Sequence, residues 1–166
     1  MADAVELSPP RVQRERRLLS EWAARRYPAS PVEHQVRVGA IQPNTQAAGL
    51  TYTEMKSLGV WRRYADALVR LPGSLVLIEA SMAAHPGYIS QLLLYRRLLP
   101  LTPELADMAA WPVRMVYLVA LEDPVVTAMA RDVSIDVEVY RPPWAVAFIA
   151  DLEARKQRPP KTGGLR

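Results

Sequence analysis

A chain of 166 residues and 18.6 kDa is the size of one domain able to bury a proper core, and 50% hydrophobic with 23% charged residues describes a globular rather than a disordered protein. A net charge of +4 and a pI near 9.6 make it moderately basic, short of the dense basic stripe of a dedicated nucleic-acid coat. The absence of cysteine excludes disulfides, zinc–thiolate centres and thiol nucleophiles, and two histidines are too few for a histidine-rich metal site.

Residues 1–10 read as a flexible lead-in closed by Pro9-Pro10, with no apolar stretch of the kind a signal peptide carries. From Arg11 to Tyr27 the spacing predicts a helix, with Val12, Leu18, Leu19, Trp22 and Ala23 able to share one face and arginines over much of the rest. Pro28 and Pro31 end it, and His34 to Gly39 alternates as a short strand. Residues 42–58 form a loop-like mixture of Pro, Asn, Gln, Gly and Thr.

Trp61 to Leu71 reads as a strand, Pro72-Gly73-Ser74 as a tight turn, and Leu75 to Met82 as a second strand, apolar on both faces until Glu79, as a central buried strand should be. Tyr88 to Leu99 returns to helical spacing. Residues 100–112 make a proline-punctuated connector with room for one helical turn. Val113 to Leu121 is an apolar strand, Pro124 to Arg131 a short helix, Ile135 to Tyr140 an alternating strand and Trp144 to Arg155 a last helix. The tail, residues 157–166, carries Pro159-Pro160 and Gly163-Gly164 and is expected to be flexible. The expected fold is therefore a single α/β domain over residues 11–156, a sandwich with a central mixed sheet flanked by helices. No apolar run reaches the roughly 20 residues that span a bilayer, so no membrane contact is expected.

Two acids stand out by position. Asp66 interrupts a strand-like run and Glu79 ends a buried one, and a hairpin would bring them side by side. Buried carboxylates are costly unless paired or bound to a cation. Two of them together raise each other's pKa and favour Mg²⁺ or Mn²⁺. In a strand, positions i and i+2 share a face, so Ser81 points the same way as Glu79. Plainer readings stand beside this one. Asp66 is a strand-edge acid paired with Arg63 or Arg70, Glu79 is capped by a helix or a neighbouring arginine, and the basic first helix is a solvated face. His34 and His85 are bystanders, and Tyr64, Trp61 and Trp144 belong to the core or to an interface.

A strand Asp, a hairpin and an apolar run closed by Glu-x-Lys resembles the core signature of the PD-(D/E)XK nuclease superfamily, here Asp66 and then Glu79-Ala80-Ser81. The next helix carries Gln91-Leu-Leu-Leu-Tyr95, which is similar to the Gln-x-x-x-Tyr motif of the RecB-like branch. The resemblance spans roughly residues 12–141. It implies a restriction-endonuclease-like fold and a catalytic set of Asp66, Glu79, Ser81, Gln91 and Tyr95, vestigial or active. It also implies metal ligation by Asp66 and Glu79, a further acid from the first helix (Glu21 or Glu33), and nucleic-acid contacts from Arg14, Arg17, Arg96 and Arg97. Serine stands where the family has lysine, so the cation that orients water in the family is missing, unless Lys56 or an arginine replaces it.

The expected function is a cleavage-impaired domain of this kind. It would act as a structural or DNA-associated component of a phage or mobile-element assembly, in a virion or in DNA packaging, with protein partners. Its location would be cytoplasmic, or virion-associated if phage-encoded. The alternatives are an active Mg²⁺-dependent DNA nuclease with a migrated cation and a protein–protein adaptor. Phosphate loops, dinucleotide fingerprints and nucleophile elbows are absent.

Overall fold

The computed structural model describes residues 10–40 and 63–157. In chain order the elements are α1 (Arg11–Arg26), β1 (Val32–Val38), β2 (Arg63–Leu71), β3 (Ser74–Ala83), α2 (Pro86–Leu98), β4 (Val113–Leu121), α3 (Pro124–Asp132), β5 (Ile135–Val139) and α4 (Pro143–Lys156). The five strands form one sheet in the order β1-β2-β3-β4-β5. β1, β2 and β3 run antiparallel, while β4 and β5 join parallel to β3. The sheet is thus mixed and flanked by helices, as the order of elements predicts.

The observed boundaries differ from the predicted ones by one or two residues. β1 begins at Val32, and α2 begins at Pro86, because the side chain of His85 caps it by accepting from the Gly87 N–H at 3.1 Å. The connector holds two 3₁₀ segments, Leu99–Leu101 and Pro103–Met108, rather than one helical turn. The segments read from sequence as a flexible lead and a loop, Trp61 and Lys56, and all of the tail but Gln157 lie outside the described residues.

The sheet divides two apolar layers by simple alternation. On β3, Val76, Ile78, Ala80 and Met82 pack with Leu18, Leu19, Trp22 and Ala23 of α1 and with Ala145 of α4. Leu75 and Leu77 face the other way, onto Ile89, Leu92 and Tyr95 of α2 and Val126 and Ala130 of α3. Residues Leu75 to Met82 are all buried, because β3 is flanked by strands on both edges and by helices on both faces. At the β2–β3 turn Pro72 precedes Gly73, whose φ of +73° is the left-handed value that a type II turn requires at its third position.

Helix α3 is short and depends on its cap. Asp123 Oδ1 accepts from the N–H groups of Val125 (2.8 Å) and Val126 (3.2 Å), and Pro124 occupies the first helical position, where no N–H is needed. Asp123→Ala is expected to cost about 1 kcal/mol in urea denaturation. A wild-type midpoint in that variant would mean that packing of Val126 and Ala130 alone holds the helix.

The seam between α1 and α4 uses the arginines of α1. Arg14 lies 4.1 Å from the Phe148 ring centroid, and Arg17 lies 4.6 Å from that of Trp144. Trp144 Nε1 donates to Glu21 Oε2 at 2.9 Å, and Arg17 also pairs with Glu21 at 2.8 Å. Trp22 Nε1 reaches across to Glu138 on β5 at 3.0 Å.

Candidate functional site

The regular ladder between β2 and β3 extends from Leu71↔Ser74 only to Ala67↔Ile78. At the next position the two acids take over the hydrogen bonding. Glu79 Oε1 accepts from the Asp66 backbone N–H at 3.0 Å, and Asp66 Oδ2 accepts from the Ala80 backbone N–H at 2.9 Å. Each carboxylate therefore satisfies an amide of the opposite strand, forming a reciprocal clasp at the point where regular pairing ends. The hairpin brings Asp66 and Glu79 together, as the sequence predicts. The partner foreseen for Asp66 is different: Arg70 pairs instead with Glu33 at 2.6 Å, and Asp66 bonds to Ala80 and Gln35.

Burial sets the charge of this pair. Glu79 is 3% exposed, and desolvation, reinforced by the neighbouring Asp66 charge, pushes its carboxyl up to about 8, so it holds a proton at neutral pH. Asp66 is also raised, chiefly by burial, although the Ala80 amide, the Gln35 side chain and the Arg16 charge act in the opposite direction. Tyr95 is buried in α2, and its hydroxyl is raised first by desolvation and then by the Glu79 charge. Gln91 lies one turn earlier, on the exposed surface of α2.

Ser81 has a different occupation from the one its place in the signature implies. It is 2% exposed, and its Oγ lies 2.6 Å from Tyr117 Oη and 2.7 Å from the Ala83 carbonyl. Tyr117 Oη in turn accepts from the His85 backbone N–H at 2.9 Å. One ordering of the protons satisfies every member: the His85 N–H donates to Tyr117, whose hydroxyl donates to Ser81, whose hydroxyl donates to the Ala83 carbonyl. The chain ties the end of β3 to β4 and to the start of α2. His85 is thus structural, through its backbone and its cap.

Asp66 opens onto a cleft of about 290 Å³ between α1 and β1, with Glu15, Arg16 and Ser20 on one wall and His34 and Gln35 on the other. The first-helix acid beside Asp66 is therefore Glu15, in place of Glu21 or Glu33. Glu21 is held at the α4 seam by Trp144 and Arg17, and Glu33 lies on β1 facing Arg70. A sequence signal for Glu15 existed, since it precedes Leu18 by three residues and Leu19 by four and so lies on the buried side of the helix. Glu15 pairs with Arg11 at 2.9 Å, and Arg11 also donates to Tyr88 Oη at 2.8 Å. The Tyr88 ring stacks on that of Tyr117, with centroids 5.2 Å apart.

The basic residues divide between several surfaces. Arg14 and Arg17 are committed to the α4 aromatics. Arg96 and Arg97 are exposed on α2, with Arg96 beside Leu75, Trp111 and Pro112, at the opposite end of β3 from Glu79. Arg16 is exposed, lines the cleft and forms no ion pair within 4 Å among the described residues. Tyr64 is 48% exposed and accepts from Arg37 Nε at 2.8 Å, while Trp144 packs against the α1 layer.

Among the described residues no three of His, Asp and Glu are grouped so as to hold a metal ion. Asp66 and Glu79 touch, and each commits one carboxylate oxygen to a backbone amide of the opposite strand, so a divalent cation held here would have to bind through their remaining oxygens. No helix among the described residues is long and apolar enough to cross a membrane. No family model, curated protein or solved structure matches the chain.

Proposed function

We propose that the chain is a PD-(D/E)XK-like domain, of restriction-endonuclease-like architecture, that associates with DNA and cleaves it poorly or not at all. Its role is that of a structural component in a phage or mobile-element assembly. The observation that carries this reading is the reciprocal clasp, in which Asp66 and Glu79 each hold an amide of the opposite strand. Acids held in this way stabilise a hairpin, and each has one oxygen already committed to a backbone amide rather than to a cation. Position 81 adds support, because a buried hydroxyl bonded to Tyr117 supplies no positive charge to a scissile phosphate. The phage setting, the protein partners and the cytoplasmic or virion location rest on the resemblance. The basic pI and the exposed Arg16 at the cleft support contact with a phosphate backbone.

A second reading, an active Mg²⁺- or Mn²⁺-dependent nuclease, is favoured by one observation. Glu15 and Arg16 line the same cleft as Asp66, so a third acid and a cation stand close to the pair. When bound, a divalent cation would activate water and stabilise the charge that develops on the phosphate. To contribute, Glu15 would have to leave Arg11, and Glu79 would have to lose its proton.

The deciding experiment adds Mg²⁺ or Mn²⁺ to purified protein with labelled linear duplex and single-stranded DNA, beside Asp66→Ala and Glu79→Ala. Expected are binding that weakens steeply with salt and cleavage that stays at background in all three proteins. Metal-dependent cleavage by the wild type that both substitutions abolish would replace the first reading with the second. Absence of DNA binding at low salt would remove both and leave a protein–protein adaptor.

A further inference from the structure

The backbone of Gln35 has a φ of +52°, a left-handed value that non-glycine residues rarely adopt and that is out of place inside a strand. Its neighbours pair normally with β2, His34 with Ala67 and Val36 with Ala65, yet no Gln35↔Asp66 pair joins them in the ladder. One residue of β1 is thus rotated out of the strand without shifting its register. It is the residue opposite Asp66. Its side chain lines the cleft, and Nε2 donates to Asp66 Oδ1 at 3.3 Å, while Asp66 Oδ2 holds the Ala80 amide. The Asp66 carboxylate is therefore held from both sides, by β3 through one oxygen and by the rotated residue of β1 through the other. Neither glycine nor asparagine, the residues that take this conformation most easily, stands at the position. A strained conformation is retained here by a side chain with a long amide, and that amide reaches the acid.

We propose that Gln35 is a positioning residue, kept in its strained conformation because it fixes the Asp66 carboxylate at the mouth of the cleft. The proposal rests on the reading of Asp66 as the centre of the site, but its test needs neither metal nor DNA, so the two can fail separately.

Three variants separate positioning from a purely structural kink. Gln35→Gly removes both the strain and the amide, Gln35→Asn tolerates the left-handed backbone but has a shorter amide, and Gln35→Ala keeps the strain without any amide. Two readouts are taken on each full-length protein: the thermal midpoint, and hydrogen–deuterium exchange of the Ala80 N–H, which reports directly on the Asp66 carboxylate. The expected result for Gln35→Gly is opposite signs, a higher midpoint together with Ala80 exchange faster by roughly threefold or more, the scale of one modest hydrogen bond. Gln35→Asn should behave in the same way, and Gln35→Ala should lose in both. Ala80 protection that rises with the midpoint in Gln35→Gly, or stays at the wild-type value, would overturn the proposal, as would a lower midpoint in that variant.

Discussion

Glu79→Gln is expected to raise the thermal midpoint at pH 8.5 and to leave it close to wild type at pH 5. The Glu79 carboxyl is ordinarily acidic, with a reference value of 4.5, and burial beside Asp66 raises it to about 8 in the folded chain. Between these two values the folded protein keeps a proton that the unfolded chain releases. Stability is therefore fully present below the unfolded value, declines as pH rises and is lost once the pH passes about 8. The slope from this one group approaches about 1.4 kcal/mol per pH unit, which across the window amounts to a few kcal/mol. Asp66 is raised too and contributes with the same sign. Glutamine stays neutral at every pH, and its amide oxygen can still accept from the Asp66 N–H. Thermal unfolding of both proteins at pH 5, 6.5, 7.5 and 8.5 makes the comparison. Curves that run parallel across the series would show that Glu79 ionises normally in the folded state and that the clasp is open to solvent.

The second large effect concerns the position where the family has lysine. Ser81→Lys is expected to destabilise the protein by about 2–4 kcal/mol and to bring no metal-dependent cleavage with it. The site is 2% exposed, and the three additional heavy atoms would have to enter beside Tyr117, which is fully buried. The substitution also breaks the hydroxyl chain, leaving Tyr117 and the Ala83 carbonyl without the Ser81 partner they now share. An ammonium group able to take the Glu79 proton would offset part of that cost as an ion pair, but a buried pair is weakly stabilising at best. Urea denaturation and the DNA cleavage assay report the two halves of the expectation. A well-folded Ser81→Lys protein that cleaves DNA, and loses cleavage again on Asp66→Ala, would mean that the site lacks nothing except its cation. The remodelled network around Tyr117 would then be incidental to function.

The elements of this fold were legible because their signals are local. The unbroken Leu75–Ile78 run marks a strand covered on both faces, Pro72-Gly73 marks the hairpin, and Leu18, Leu19, Trp22 and Ala23 mark the buried face of α1. The Asp66–Glu79 pair was legible for the same reason, since a two-residue turn fixes the register of the strands that flank it. Glu15 was harder to find. Helical spacing puts it on the inward side but does not say which turn of α1 passes the open end of the β2–β3 ladder. Arg14 and Arg17 looked like a solvated or DNA-facing surface because their partners, Phe148 and Trp144, lie at the far end of the chain.

Sequence alone determined the succession of helices and strands, the central position of β3 and the juxtaposition of two carboxylates across a hairpin. Each of these follows from periodicity or turn chemistry over a few neighbouring residues. Tertiary structure alone decided what surrounds those carboxylates: Ser81 engaged with a tyrosine 36 residues away, Glu15 chosen over Glu21 and Glu33, and Gln35 rotated out of its strand toward Asp66. These depend on how α1 and β4 pack around the hairpin, and a pattern such as His34-Gln-Val-Arg-Val-Gly39 contains no local sign that its second residue leaves the extended conformation.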